Sequence, residues 1–443
     1  MIRDEALPEL EHYRKAEKEF RVQDAPEMGR LVVYSSNDQL PVHRWFRFKE
    51  GYSADLLSYA LLMCGSQLGR RVTLLDPFCG SGTTLVSGQM FVSPQIDACG
   101  IEQNPFMKFV SETKVSWPDL NADVLSKWAH WAIRQEPTDT PDLPELSSIS
   151  RGTCISRYMA RRVLGLRQIL AGVPSPYSNV LRLGLAASVE ALSRVRKDGR
   201  ALRIVQRNTP ALSSTVMKHW MQMSDDVRLL QADFILDTVP RPQVKQGDGR
   251  NPGLYGIEPD SIDLVLTSPP YPNNIDYSEV YKLELWLLGY VRNNVDFLKL
   301  RKQTFRSHPT SDLQTSVDSL GWESDSTKFS KILDIVLVRA AAAGQPWRKK
   351  LVLGYFADMW ASLAAQYRCL KPGARSFVVV ANSLHGGSEH AYLVPTDLLT
   401  AYIGSALGFE VERLIIARNT KRRLVGNHFL RETIVVLRKP YAC

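Results

Sequence analysis

Four consecutive residues, Ser268-Pro269-Pro270-Tyr271, combine the side-chain types that can handle a planar amine. Two prolines fix the backbone, so the Ser268 hydroxyl and the Pro269 carbonyl can face the same way as acceptors, with the Tyr271 ring beside them as a stacking platform. A flat base carrying an exocyclic amino group fits between them. Its nitrogen is a weak nucleophile because the lone pair is delocalised into the ring, and hydrogen bonds from its N–H groups to fixed acceptors localise that pair.

A second stretch, Asp76-Pro77-Phe78-Cys79-Gly80-Ser81-Gly82-Thr83-Thr84, closes an apolar run with an acid and a glycine turn. Glycines at a strand end let the backbone come close to a ligand, and Glu102, at the tip of the next predicted strand, is placed to accept hydrogen bonds from ribose hydroxyls. The turn lacks the third glycine of a dinucleotide fingerprint and the Gly-Lys-Ser/Thr of a phosphate loop. A pyrophosphate or triphosphate therefore fits poorly, and S-adenosylmethionine, a nucleoside without phosphate, fits better. Methylation at a ring carbon would need a cysteine beside the base, and the only cysteine in a motif, Cys79, lies in the glycine turn.

The elements that must carry these residues read as an α/β alternation. Apolar runs at Val72–Leu75, Ile96–Ile101, Val227–Ala232 and Ile262–Thr267 end in Asp76, Glu102, Asp233 and Ser268, and polar residues at the carboxyl ends of strands are what an open parallel sheet presents to a ligand. Glu279 to Val291 and Tyr355 to Leu370 carry helical stripes, the second stopping at Lys371-Pro372-Gly373. Phe377–Asn382 reads as a fifth strand, and Val411–Ile416 with Thr433–Arg438 as an antiparallel hairpin at the sheet edge. The fold expected is α/β, a doubly wound, mostly parallel seven-stranded sheet. Residues 1–40 read as an N-terminal arm and residues 41–115 with 226–443 as the catalytic domain. Residues 116–225 form a helical insertion and 296–350 a second, polar one, both candidates for gripping a macromolecule.

Composition sets the frame. The chain has 443 residues, 44% hydrophobic and 23% charged, enough for a substantial buried core. Lysine plus arginine exceed aspartate plus glutamate by 55 − 46 = +9, which favours a polyanionic partner. No apolar run approaches the roughly 18 residues of a membrane span, and the charged start Met1-Ile2-Arg3-Asp4-Glu5 differs from a secretion signal, so a cytoplasmic protein with no membrane partner is expected. The six cysteines form no C-x-x-C pair, and His385 and His390 sit in a glycine-rich loop, so no metal is expected.

Asp76 to Thr84 followed by Ser268 to Tyr271 resembles the amino-methyltransferases of DNA, which transfer the methyl of S-adenosylmethionine to cytosine N4 or adenine N6. Phe48-Lys49-Glu50-Gly51-Tyr52-Ser53 resembles the family's segment at the methionine end, Gly100 to Pro105 its ribose strand end, and Ala232-Asp233-Phe234 its adenine-contacting acid. Leu370 to Gly373 and Arg431 to Ile434 resemble its later motifs. The resemblance implies a Rossmann-like methyltransferase sheet with cofactor residues Lys49, Tyr52, Ser53, Asp76, Phe78, Gly80, Ser81, Gly82, Thr83, Glu102, Asn104, Asp233 and Phe234. The insertion between the ribose and adenine motifs departs from the usual placement of a target-recognition region. Serine before Pro-Pro is commoner among the cytosine enzymes, which selects N4-methylcytosine over the adenine alternative. An RNA guanine-amino methyltransferase and a silent DNA-binding protein are the more distant readings.

The resemblance further implies double-stranded DNA as substrate, a target base flipped out of the helix, and a role in a restriction-modification system whose endonuclease is encoded separately. Asn273, Asn274, Asp276 and Tyr277 follow the Pro-Pro turn and are expected around the flipped base. Arg196 and Lys197, then Arg301, Arg306 and His308, then Lys421 and Arg422 lie in basic clusters that could bind phosphates. Trp45, Trp286 and Trp360 read as core. A homo-oligomer is compatible with the sequence.

Overall fold

The computed structural model describes residues 2–3, 7–65, 69, 71–197, 202–313, 327–387, 390–420, 424–425 and 429–441. Its main sheet has eight strands, which we number in chain order: β1 (Val22–Asp24), β2 (Arg71–Asp76), β3 (Gln95–Glu102), β4 (Gln243–Gln246), β5 (Ile262–Thr267), β6 (Leu370–Ala381), β7 (Glu410–Asn419) and β8 (Arg431–Arg438). The spatial order is β1-β7-β8-β6-β5-β2-β3-β4. All neighbours run parallel except β8, which is antiparallel to both β7 and β6. Six of the seven expected strands are present, β4 takes the place of the seventh, and the arm adds an eighth by pairing Val22–Asp24 with Leu414–Ile416.

Strand residues alternate between two cores, as the pleat requires. Along β5, Leu264 and Leu266 pack into the core under the helical insertion, while Val265 between them faces the opposite core with the helices Pro346–Cys369 and Thr396–Ala406. Phe377 and Val379 of β6 likewise face one side and Val378 and Val380 the other. Register places Leu74 of β2 against Leu264 of β5. The chain leaves β2 toward β3 on one side and returns at β5 on the other, so the crevice between their carboxyl ends is the switch point where open α/β sheets bind ligands.

One predicted strand is a helix. Val227–Ala232 belongs to Leu212–Asp233, a 22-residue helix whose buried Val216, Trp220, Met223, Val227 and Leu230 recur at helical spacing. The third parallel strand is instead β4. The helical insertion therefore runs past residue 225 to the end of this helix, and with Ala122–Ala132, Arg157–Ala171 and Tyr177–Leu192 it shares one continuous core with the sheet. In the second insertion, Thr327–Ala342 packs into the opposite core. Trp45 and Trp286 are buried and Trp360 is partly buried in the core, as read from sequence. No helix among the described residues is long and apolar enough to cross a membrane.

Candidate active site

The carboxyl ends of β2, β3, β4 and β5 open into one crevice, the position at which open α/β sheets take ligands. It is bordered by Phe48, Glu50, Phe78, Gly80, Glu102, Asn104, Asp248, Ser268 to Tyr271, Tyr277 and the stretch Thr304 to His308. A smaller recess continues from it past Tyr52, Asp76, Ser81 and Thr83, with Phe48, Glu50, Phe78, Gly80 and Ser268 common to both.

Asp76 is the hub of the recess. Its buried carboxylate accepts from Tyr52 Oη (3.0 Å), Thr84 Oγ1 (2.6 Å), Thr267 Oγ1 (2.9 Å) and the Phe78 N–H (3.2 Å). Burial raises its pKa, and those donors oppose the rise. Asp76 thus ties the glycine turn, the Tyr52 segment and the end of β5 together. Gly80 and Gly82 of the turn have φ of 51° and 80°, a left-handed backbone that a side chain would strain. Burial pushes the Cys79 thiol far up, with Asp76 and Glu102 adding to the effect, so it stays protonated and non-nucleophilic.

Glu102 accepts from the backbone N–H groups of Gly80 (3.0 Å) and Asn104 (2.7 Å). Burial pushes its pKa up to about 7. Asn104 caps the helix Pro105–Val115 through Oδ1 and borders the crevice beside Glu102. A carboxylate has about four acceptor positions, so Glu102 keeps capacity for two hydroxyls. Ser81 Oγ, buried in the recess, has no hydrogen-bond partner in the structure. An unsatisfied buried hydroxyl fits a polar ligand terminus. The donor set therefore suits a nucleoside with a short amino-acid arm.

Asp248 was missed from sequence. It follows β4 between two glycines, and a Cβ on either would collide, on Gly247 with the Tyr255 ring and on Gly249 with the Pro77 carbonyl oxygen. The backbone can come this close to the Asp76 turn only without side chains. Q-G-D-G after β4 was the available signal, hidden because Gln243-Val244-Lys245-Gln246 is short and polar. Asp233 is exposed at the end of its helix, and Phe234 packs edge-on against Trp117 at 5.8 Å, so neither borders the crevice. Lys49 is exposed and donates to the Lys197 carbonyl, and Ser53 is buried among Ser36 and Asp55; both lie off the crevice.

The Ser268 turn borders the crevice as expected, with Ser268 Oγ donating to Tyr271 Oη at 3.4 Å. Asn273 Oδ1 accepts from the Ile275 N–H, and Asn274, at φ 64°, donates its N–H to the Ser307 carbonyl. Asp276 is buried and is not among the residues bordering the crevice. It caps Tyr277–Val280, takes 2.7 Å and 2.9 Å hydrogen bonds from Arg301 and Thr310, and faces His308 at 3.7 Å. Burial pushes its carboxyl up, but His308, Ser278 and Arg301 outweigh that and hold its pKa low.

Several predicted phosphate contacts are internal. Arg301 is consumed by Asp276 and Glu279, and Arg306 by Asp358. Buried His308 bridges Thr304 and Thr310 and borders the crevice instead of the surface. Lys197 pairs with buried Glu284 and lies 4.2 Å over the Tyr281 ring. Each was read as a phosphate contact; Lys197 and Arg306 instead meet acidic partners 87 and 52 residues away along the chain, which no local pattern shows. Arg196 is exposed on the strand Val195–Lys197, while Lys421 and Arg422 lie outside the described residues.

The segment leading to Phe48 is clamped. Asp226 of the long helix accepts from the Val42 N–H (3.0 Å), Trp45 Nε1 (3.0 Å) and Arg44, and Lys114 Nζ donates to the carbonyls of His43 (2.9 Å) and Phe46 (3.1 Å).

An open α/β sheet thus carries at its switch point one crevice bordered by the Ser268-Pro269-Pro270-Tyr271 turn, Glu102 and Asp248. No family model matches the chain. It is 23% identical to the Type II methyltransferase M.BsoBI of Geobacillus stearothermophilus, covering 98% of this chain and 93% of that protein. It is 25% identical to the Type II methyltransferase M.AvaI of Nostoc, covering 99% and 95%. A solved Thermus thermophilus chain described as a DNA modification methylase, complexed with S-adenosyl-L-methionine, matches 44% of this chain and 55% of its own at 18% identity and a TM-score of 0.22. The likeness to Type II methyltransferases thus spans nearly the whole chain.

Proposed function

We propose that this protein is an S-adenosylmethionine-dependent DNA methyltransferase that modifies the exocyclic N4 of cytosine within a short duplex sequence. The observation that carries it is that Ser268-Pro269-Pro270-Tyr271 and Glu102 border one crevice. The near full-length similarity to Type II methyltransferases supports DNA as substrate and a restriction-modification context, with the nuclease on a separate chain.

Bound S-adenosylmethionine supplies an activated methyl group. Glu102 holds the ribose hydroxyls, Asp248 the adenine amino group, and Ser81 Oγ a polar group of the amino-acid arm. Ser268 Oγ and the Pro269 carbonyl accept the two N–H hydrogens of the target amine and turn its lone pair toward the recess, while Tyr271 stacks on the ring. Base flipping brings the amine there. Serine at position 268 supports cytosine as target. The exposed Arg196 and the helical insertion are the proposed duplex contacts, since the second cluster is spent on internal ion pairs.

Nucleoside mass spectrometry of genomic DNA from a methylation-free host expressing the protein tests this, with Ser268→Ala as control. N4-methylcytosine is expected. N6-methyladenine would keep the crevice chemistry and overturn the target, and unmodified DNA from the active chain would overturn the DNA reading.

A further inference from the structure

Resting on that reading, we propose that Glu50 is the proton acceptor of the methyl transfer. Ser268 and Pro269 can accept hydrogen bonds but are not bases, and the reaction releases a proton. As the nitrogen–carbon bond forms, the carbon–sulfur bond breaks and its electron pair leaves on sulfur. The nitrogen is left with one proton too many, and that proton passes to a Glu50 carboxylate oxygen, then to solvent once the crevice opens.

Position singles out Glu50. The crevice and its recess share five residues, Phe48, Glu50, Phe78, Gly80 and Ser268, so the shared zone is where the cofactor end and the target amine must meet. Glu50 is the only carboxylate among them. The other acids are committed: Asp76 is saturated by four internal donors, Glu102 lies at the ribose end, and Asp248 is doubly bonded by Arg250. Glu50 has one side-chain donor in the structure, Tyr281 Oη at 2.8 Å.

Its surroundings favour a working base. The charged and titratable groups facing it are Tyr281 and Tyr277, with Lys197 from the hairpin and its own neighbour Lys49. Burial raises its pKa, and the Tyr281 hydroxyl and the two lysines only partly offset this. A carboxylate whose pKa is raised by burial takes a proton more readily than an exposed one.

The test is Glu50→Gln in the full chain, reading S-adenosylmethionine affinity by calorimetry and single-turnover methyl transfer to duplex DNA from pH 5.5 to 8.5. A rate loss of about 100-fold or more with affinity within about threefold is expected. Tyr281→Phe removes the donor that favours the charged form, so its acidic limb should move to higher pH with affinity unchanged, a shift that a purely structural role would not cause. Loss of affinity with the rate at saturation preserved would overturn the proposal and make Glu50 a partner of the methionine ammonium. An unchanged rate in Glu50→Gln would also overturn it. Failure of the DNA reading is separable, because the unmodified chain would then methylate no DNA.

Discussion

Arg306 binds Asp358 twice, through its backbone N–H at 2.8 Å and its guanidinium at 2.6 Å. Asp358 also takes Arg250 at 2.7 Å, and Arg250 clasps Asp248. One buried carboxylate in the Pro346–Cys369 helix therefore holds both the Thr304–His308 wall and the turn at the adenine end. Asp358→Ala would strand Arg306 and leave Arg250 with Asp248 alone, and breaking a buried pair costs about 3–5 kcal/mol. The expected outcome is a lower urea midpoint and weaker S-adenosylhomocysteine binding in the same variant. Weaker binding without lost stability would contradict the shared-anchor role.

The two candidate acids for the adenine end can be compared directly. Asp248 borders the crevice, whereas Asp233 ends an exposed helix. Asp248→Ala should weaken S-adenosylhomocysteine binding by about tenfold or more, the scale of one lost hydrogen bond to a charged group. Asp233→Ala should leave it within about twofold. Titration calorimetry on both variants decides the assignment.

That contrast also marks what a sequence can carry. β2, β3 and β5 were legible because each is buried, apolar and ends in its functional residue, and the acceptor turn was legible because its chemistry is contiguous. β4 was not, because a four-residue edge strand with two glutamines and a lysine has no apolar run to read. Val227–Ala232 misled for the opposite reason: six residues of a long helix look like a strand unless Val216, Trp220 and Met223 are read with them. The arm strand and the partners of Arg306 and Lys197 depend on contacts between distant parts of the chain, Arg306 meeting Asp358 across 52 residues.

Glu102 makes ligand binding and stability respond to pH. Its pKa rises from 4.5 to about 7 through burial, so the folded state holds this proton more tightly than the unfolded chain. Its contribution to stability is fully present below pH 4.5 and is lost as pH climbs through 7, at up to about 1.4 kcal/mol per pH unit. In the proposed site the ribose hydroxyls donate to the charged form, so cofactor affinity should rise between about pH 6 and 8. Glu102→Gln should bind more weakly and lose that rise. A wild-type affinity flat across this range would show that Glu102 does not titrate there.

Ser268 and Asp76 should fail differently when removed. In the proposed mechanism Ser268 offers one acceptor to the target amine, and its side chain makes only a 3.4 Å contact with Tyr271. Ser268→Ala should therefore keep stability and cofactor affinity while turnover falls about 10²–10³-fold, the effect of removing one positioned hydrogen-bonding group at a reacting centre. Asp76→Ala leaves the Thr267 hydroxyl and the Phe78 N–H without their acceptor, and Tyr52 and Thr84 with only each other. Each unsatisfied group costs about 1–3 kcal/mol, so this variant should lose thermal stability and cofactor affinity together. Equal loss of cofactor affinity in the two variants would mean that the recess and the acceptor turn are not separate parts of the site.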